Sequence, residues 1–471
     1  MTTSDLRRRL LELDVQILEH KRALQELEQT RTAVEQELLA TATFPVSTLP
    51  SEITAEIFIH SSPPINSAHS FAPPLTVAPL SLMGVCRAWR DIVLATPTLW
   101  STLLIAIHRI PDEMASKSDL VASFIEQWLA RAGDCPLSLV VDNSMNNDVL
   151  DPSMVIRLRE IIHRHSHRLQ YLELDSLHEV GELGLASTEF PLLQHATLAL
   201  VPDGLSVFRN APRLNVLHLP GGIFHTSNLA LPWLQLTKYE GMIRNLDLFI
   251  IAPNLAEISC ELDQVFSLTT MTTHLCLNSL TITMGSLDTL IEHLTLPSLK
   301  FLYVSHAHDY TTLESFLRRS SPPLVTLSIW ANEGLLKNWR RTIHHVAGTL
   351  ENLEIYQPPQ TFIYSIFNPY PPANDLHALQ SLRTLTLQYV AHLFSPQDLT
   401  RFLYSRFGKL RSFKLVWCWD PVLNDYGEFY AGHTANTTRG HLHKLKIAGM
   451  DIYLGSFVQN YAAIEDNPAI V

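Results

Sequence analysis

Residues 324–329 read LVTLSI, and this six-residue pattern decides the fold because it recurs along most of the chain. The first, fourth and sixth positions of the pattern, L-x-x-L-x-L, hold Leu or another apolar residue. Clear copies lie at Leu169/Leu172/Leu174, Leu214/Leu217/Leu219, Leu299/Leu302/Val304, Leu324/Leu327/Ile329, Leu350/Leu353/Ile355, Leu382/Leu385/Leu387, Leu410/Phe413/Leu415 and Leu442/Leu445/Ile447. Each copy alternates inward and outward residues as a half-buried strand does. The pattern therefore predicts a series of short strands.

Weaker copies and a recurring proline keep the same phase as the clear copies. The weaker copies lie at Leu193/Ala196/Leu198, Leu234/Thr237/Tyr239, Leu255/Ile258/Cys260 and Leu277/Leu280/Ile282. A proline stands two residues before the first marked position at Pro191, Pro212, Pro232, Pro253, Pro297 and Pro322. Successive copies start 20 to 32 residues apart. Two independent markers in one phase indicate a true structural repeat.

Helix-like stretches separate several of the predicted strands. They cover residues 287–294, 313–319, 335–346 and 396–407, the last with Ser395 as N-cap and Pro396 at its first position. A strand, a turn and a helix within about 25 residues form a leucine-rich repeat, which must stack because no unit buries its own apolar face. We therefore predict an α/β fold in which residues 169–452 form a leucine-rich-repeat solenoid. Only Asn332 and Cys418 occupy the usual Asn/Cys loop position, so we expect an irregular horseshoe.

Two apolar segments upstream of the repeats predict a small helical docking module. Residues 49–58 read LPSEITAEIF and residues 85–94 read VCRAWRDIVL. Pro50 suits the first turn of a helix, because a residue there needs no partner for its backbone N–H. Helical spacing places Ile53, Ile57 and Phe58 on one face, and Val85, Trp89, Ile92 and Val93 form a second stripe, with Pro97, Leu99 and Trp100 closing the unit. A unit this small leaves an apolar face for a partner, although an ordinary helical hairpin shows the same periodicity.

The order of these residues resembles the F-box-like proteins of fungi. Their pattern reads LPxEIxxxIF and then VCxxWRxIxxxTPxLW, and this chain matches it from Leu49 through Trp100, with a Pro- and Ser-rich insert at residues 61–79 that we expect to be mobile. The resemblance implies docking onto the Skp adaptor of a cullin-type ubiquitin ligase, with this chain choosing the substrate. The adaptor contacts that it implies are Leu49, Pro50, Ile53, Ile57, Phe58, Val85, Cys86 and Trp89.

The N-terminal segment carries a heptad stripe that predicts an amphipathic helix over residues 5–40. The stripe comprises Leu6, Leu10, Leu13, Ile17, His20, Leu24, Leu27, Arg31, Val34 and Leu38, spaced alternately four and three apart. Two interpretations stay open. The helix forms a coiled coil that joins two copies of the chain, or it lies along its own protein, as the wider apolar face created by Leu11, Val15 and Leu18 favours.

Composition excludes several classes of protein. The chain has 471 residues, 46% of them hydrophobic, and a formal net charge of −12, which disfavours nucleic acid or an anionic membrane as the main partner. No run of 18 apolar residues occurs, and the N-terminal MTTSDLRRRL lacks the apolar core of a signal peptide. The five widely spaced cysteines predict no disulfide or zinc framework. We therefore expect an intracellular protein of the cytoplasm, the nucleus or both.

No motif for catalysis, a cofactor or a metal ion is found in the sequence. The chain lacks the nucleophile elbow, HExxH, P-loop and GxGxxG patterns. His163, His165 and His167 are expected at the end of a helix and pointing apart, and Cys86 is expected on the apolar, buried side of its helix. We predict no enzyme and no cofactor. Aromatic residues near the strand ends, which suit a protein interface, are the candidates for target contact: Trp330, Tyr356, Tyr389, Trp417 and Trp419.

The sequence as a whole predicts a substrate adaptor. Residues 5–40 form the amphipathic helix, 45–105 the F-box-like domain, 106–168 a strand and helix region that caps the solenoid, 169–452 the repeats, and 453–471 a tail. The expected partners are a Skp-type adaptor, through it a cullin, and an unknown protein target. The alternative is an interaction scaffold outside any ligase, dimerised through residues 5–39, in which the F-box-like unit is structural.

Overall fold

The fold consists of two compact units joined by the chain. The computed structural model describes residues 3–41, 49–61, 79–106, 118–142, 152–175, 185–198, 208–220, 229–262, 270–285, 287–305, 310–331, 339, 341–367, 379–390, 395–418 and 433–455. The first unit comprises Met1–Thr102 and Gln127–Cys135, and the second comprises Leu103–Glu126 and Pro136–Val471. Most of the predicted insert at 61–79, and the tail beyond residue 455, lie outside the described residues.

The first unit is helical. Its helices are α1 (Thr3–Thr41), α2 (Ser51–Ser61), α3 (Leu80–Met83) and α4 (Arg87–Leu94), followed by a 3₁₀ turn at Pro97–Trp100 and the end of α5 (Ser118–Arg131). Trp100 is fully buried, donates its indole N–H to the Val93 carbonyl at 2.9 Å and packs edge-on against Trp128 at 4.9 Å. The Arg131 guanidinium lies 4.7 Å from the Trp100 ring. Leu99 and Trp100, which the sequence predicted to close this unit, are both buried.

The second unit contains a long parallel sheet, so the predicted α/β class is confirmed. Its strands are β1 (Thr102–Ala106, from the unit boundary), β2 (Leu137–Asp142), β3 (Leu169–Asp175), β4 (His195–Leu198), β5 (Val216–Leu219), β6 (Lys238–Ile243), β7 (Glu257–Leu262), β8 (Thr272–Thr273), β9 (Ser279–Met284), β10 (Leu294–Thr295), β11 (Phe301–Val304), β12 (Thr326–Trp330), β13 (Asn352–Tyr356), β14 (Thr384–Val390), β15 (Ser412–Trp417) and β16 (Asp451–Gly455). Fourteen strands follow one another across the sheet in chain order, and β8 pairs with β10 separately.

The repeat pattern explains this register. The second marked leucines of neighbouring copies, Leu280, Leu302, Leu327 and Leu353, are cross-strand partners and are buried. The same alternation brings the outward residues of these strands onto the opposite face. The pattern therefore fixes both the pairing and the buried face of the sheet.

The recurring prolines begin tight turns that lead into the strands. The Leu193 N–H bonds the Phe190 carbonyl at 3.3 Å across Pro191, and the Leu299 N–H bonds the Leu296 carbonyl at 3.4 Å across Pro297. Proline favours the second position of such a turn because its φ is already correct. The proline and the leucine pattern thus share one phase because they belong to one turn.

Helices lie in several of the connections between the strands, more often in the second half of the sheet than in the first. They are α6 (Pro152–His165), α7 (Asp247–Ile251), α8 (Leu287–Glu292), α9 (Tyr310–Ser320), α10 (Gln360–Phe367), α11 (Pro396–Ser405) and α12 (His433–Ile447). The predicted cap of α11 is confirmed, since the Ser395 hydroxyl accepts from the Asp398 N–H at 3.4 Å. Phe402 of α11 packs 6.3 Å from Phe413 of β15, which shows how a helix covers the leucine face. Among the described helices, each is too short or too polar to cross a membrane.

Two repeat assignments are wrong. Leu234 is 69% exposed, and Leu236 takes the first buried position instead, because the turn after Pro232 is a 3₁₀ helix at Trp233–Gln235 that shifts the phase by two residues. Tyr239, rather than Thr237, then pairs with Leu217.

The last predicted copy, Leu442/Leu445/Ile447, lies in helix α12 and not in a strand. Leu442 and Leu445 are three residues apart and share a buried helix face, whereas Ile447 is 74% exposed. The strand of this repeat is β16, which includes residues that the sequence assigned to the tail.

Candidate functional site

The first candidate surface is helix α2, which begins one residue later than expected. Pro50 precedes the helix, and its carbonyl accepts from both the Thr54 N–H at 3.1 Å and the Thr54 hydroxyl at 3.2 Å. Leu49 is half-buried just before it. Pro50 therefore occupies the N-cap position rather than the first turn, a shift of one residue that leaves the helix direction unchanged.

The apolar residues of α2 divide between two faces, which corrects the prediction of one shared face. Phe58 is 2% exposed, and its ring lies 4.7 Å from that of Trp89 in α4. Ile53 and Ile57, one helical turn apart, are each 49% exposed. Phe58 thus anchors the helix to its own unit, while the two isoleucines present apolar surface to solvent.

The second segment of the motif also departs from the prediction at Cys86. This residue is the N-cap of α4 and is exposed; its sulfur accepts from the Trp89 N–H at 3.5 Å. Val85 is exposed and lies before the helix, whereas Val93 is fully buried and Trp89 half-buried. Cys86 is therefore a capping residue with an accessible thiol and not a buried core residue.

The second candidate surface is an aromatic cluster on the outward side of strands β11 to β14, made of Tyr303, Trp330, Tyr356 and Tyr389. Trp330 stacks on Tyr356 with ring centres 5.2 Å apart and on Tyr389 at 5.6 Å. Tyr303 meets Tyr356 edge-on at 5.9 Å and accepts from the Trp330 indole N–H at 3.0 Å. All four side chains are half-buried, so the cluster keeps part of its ring surface accessible.

A half-buried carboxylate, that of Glu354, lies beside the aromatic cluster on the same face of the sheet. Glu354 accepts hydrogen bonds from the Ser328 hydroxyl at 3.1 Å, from the Gln388 amide and from the Tyr356 hydroxyl. Burial first, and then the charge and hydrogen bond of Glu354, raise the pKa of Tyr356 above its ordinary value. The phenol therefore stays neutral and acts as a donor, which keeps the carboxylate and the ring in a fixed geometry.

Backbone geometry positions the last ring of the cluster. Tyr389 has a φ of +54° and lies at a β-bulge between Leu387 and Val390. Such a conformation costs about 1–3 kcal/mol for a residue that is not glycine, and a bulge turns a side chain away from its regular direction. Here the bulge sets Tyr389 beside Trp330 while Val390 remains buried.

One of the five predicted target-contact aromatics, Trp417, does not belong to this surface. Trp417 is 1% exposed and is a core residue. Trp419 lies outside the described residues. The sequence reading missed Tyr303 and Glu354, although both occupy the outward middle position of a repeat strand, and that position was the available signal.

The histidine cluster behaves as expected for a helix end. The His163 Nδ1 lies 3.2 Å from the Thr188 hydroxyl, and the His165 Nε2 lies 3.1 Å from the Glu126 carboxylate. The two rings thus point to different neighbours. Within the described ranges, no group of three or more His, Cys, Asp or Glu side chains is arranged to hold a metal ion.

Comparison with known proteins gives no further assignment, since no family model and no curated protein matches the chain.

Proposed function

We propose that the chain is the substrate-recognition subunit of a Skp–cullin–F-box ubiquitin ligase. The observation that carries this proposal is the division of α2 into an anchored face at Phe58 and an exposed apolar face at Ile53 and Ile57. Apolar side chains exposed one turn apart on a short helix suit a partner that buries them. The F-box-like residue order supplies the identity of that partner, a Skp-type adaptor.

Under this proposal the sheet and its helices are a leucine-rich-repeat array that holds the target. Support comes from the parallel strands in chain order, their buried leucines and the helical connections. The aromatic cluster is the proposed contact surface, because partly exposed aromatic rings dominate binding energy in protein interfaces. Its rings and the Glu354 carboxylate favour a target segment that carries an Arg or Lys side chain.

The first experiment measures binding of the full chain to the host's Skp adaptor by titration after co-purification. Replacing Ile53 and Ile57 by Asp places charge in the proposed interface and is expected to weaken binding by about 100-fold or more. The matched control replaces Leu234 and Ile250 by Asp; both are apolar residues of the second unit and are more exposed than the two test residues. It should bind like the wild type.

A second pair of substitutions separates adaptor binding from target binding. Trp330→Ala with Tyr389→Ala should leave the adaptor affinity unchanged and reduce the recovery of target proteins that the wild type retains. The Ile53/Ile57 variant should show the opposite pattern. Wild-type protein that is folded and monodisperse yet does not bind the adaptor would instead support the scaffold outside a ligase.

A further inference from the structure

Helix α1 presents a continuous apolar seam to solvent. The helix runs for 39 residues, and every one of its described side chains is exposed. The described apolar residues at the heptad core positions are between 50% and 68% exposed, namely Leu6, Leu10, Leu13, Ile17, Leu24, Leu27 and Val34. Intramolecular packing, one of the two interpretations of the sequence, is therefore not seen for these residues.

We propose that α1 joins two copies of this chain as an antiparallel coiled coil. The inference does not depend on the proposed ligase function. A second copy supplies an identical seam, and about five heptads of length are enough for a helix pair to form. The direction of pairing follows from the charged and polar residues of the helix.

The two polar residues of the seam favour antiparallel pairing. In a parallel pair, His20 would face His20 of the second copy, and Arg31 would face Arg31, which places two guanidinium cations together in the core. In an antiparallel pair centred on residue 22, two core residues face each other when their residue numbers add up to 44. His20 of one copy then faces Leu24 of the other, and Arg31 faces Leu13. A polar residue at a core position commonly fixes the register of a coiled coil, and here the antiparallel register is the one that places each polar residue against a leucine.

Arg31 is already suited to that environment. Its guanidinium bonds one carboxylate oxygen of Glu35 through Nε at 2.9 Å and Nη2 at 2.7 Å, one helical turn away. This pair neutralises the charge at the edge of the seam, and the aliphatic part of Arg31 is left to pack against Leu13 of the second copy.

The flanking charges are divided between the two directions. The antiparallel register pairs Arg9 with Glu37 but also places Asp14 opposite Glu28 and Lys21 opposite its own copy, so the choice of direction depends on the core residues His20 and Arg31. The helix begins with Arg7, Arg8 and Arg9 in sequence, whereas its last third carries Glu26, Glu28, Glu35 and Glu37. Residues 9 and 37 both flank the core, and the antiparallel register brings them together, so Arg9 of each copy faces Glu37 of the other. In the parallel register Arg9 faces Asp14, and Glu37 faces residue 42, an alanine.

The test is sedimentation of the full chain at tens of micromolar, comparing charge variants. Arg9→Glu and Glu37→Arg should each weaken the dimer by about tenfold, because each converts two attractive pairs into two repulsive ones. An equimolar mixture of the two single variants should restore wild-type affinity, since both cross pairs of the mixed dimer are then attractive. The double variant should also be restored.

Other outcomes overturn the proposal. In a parallel dimer, Glu37→Arg would leave the affinity unchanged and the mixture would not recover. A monomeric wild type would remove self-association altogether. The seam itself is checked by Ile17→Glu with Leu24→Glu, which should give a monomer. Its matched control, Val15→Glu with Leu18→Glu, changes equally exposed apolar residues outside the seam and should remain dimeric.

Discussion

At the scale of single residues, His274 has its protonation state fixed by the fold. The residue is 2% exposed; its Nε2 lies 3.1 Å from the Ala252 carbonyl and its Nδ1 accepts from the Leu277 N–H at 3.2 Å. Nδ1 therefore carries no proton, and the ring is held in its neutral form with its proton on Nε2. Burial lowers the pKa of His274 below its ordinary 6.5, despite an opposing effect of the Ala252 carbonyl.

This arrangement predicts a loss of stability in weak acid. Because the folded-state pKa is lowered, the unfolded chain binds a proton first as pH falls below 6.5, and the free energy of unfolding decreases. Urea unfolding midpoints should fall between neutral pH and about pH 5. His274→Gln should reduce that pH dependence. An unchanged slope in the His274 variant would contradict the assignment.

Gly241 shows why one repeat escapes the sequence pattern. It has a φ of +150°, and a Cβ built on it would lie 2.6 Å from the Leu219 carbonyl oxygen. Only glycine fits there, so the third marked position of this repeat has no apolar side chain. The Tyr239 ring is buried two residues earlier, and its hydroxyl donates to the Met242 carbonyl at 3.1 Å. A search for leucines alone cannot find such a copy.

At the scale of elements, α12 offers a direct test of helix against strand. Leu445 is buried and Ile447 is exposed, whereas a strand with the L-x-x-L-x-L pattern would bury both. Leu445→Ala should lower the free energy of unfolding by about 2–5 kcal/mol. Ile447→Ala should change it by about 0.5 kcal/mol or less. The measurement is the urea unfolding midpoint of each variant. A similarly large decrease of the free energy of unfolding in both variants would favour the strand.

The elements also show what the sequence could predict. Most strands of the long sheet between β3 and β15 were predicted, because a period of two is distinctive when the same spacing recurs many times. The short strands β8 and β10 were not predicted, and β6 was placed two residues out of phase. Leu442 and Leu445 were wrongly assigned to a strand repeat. Leucines three residues apart fit a helix face as well as the L-x-x-L spacing, and the neighbouring residues do not distinguish a helix from a strand here. Likewise Ile57 and Phe58 are adjacent, and only the packing of Phe58 on Trp89 decides which of them faces inward.

The candidate surfaces were predictable to different degrees. The positions of α2 and α4 follow from the order of motif residues, but the exposure of Cys86 depends on where the helix begins. Trp330, Tyr356 and Tyr389 were identified as aromatic residues near strand ends. Their stacking arises from strand pairing and a bulge, which are long-range features that local sequence does not specify.

At the scale of the whole molecule, the sheet is a one-dimensional array. Within the described residues, each interior strand of the fourteen-stranded sheet pairs with the strand before it and the strand after it in the chain order of that sheet. Backbone bonds continue this chain in the turns: the Val325 N–H bonds the Lys300 carbonyl at 2.8 Å, and the Glu351 N–H bonds the Val325 carbonyl at 2.9 Å. Stability in such an array is approximately a sum of repeat terms and nearest-neighbour terms.

The consequence is that the position of a defect in the array should determine how far its effect spreads. Leu327→Ala removes a fully buried side chain from β12, in the interior of the array, at an expected loss of about 2–5 kcal/mol. Amide hydrogen exchange should then speed up most in β11 and β13 and less with each further strand. Ile452→Ala makes a comparable cavity in β16 at the edge, and it should release that edge while β3 to β7 stay protected. Equal exchange everywhere in both variants would show instead that the sheet opens as one cooperative unit.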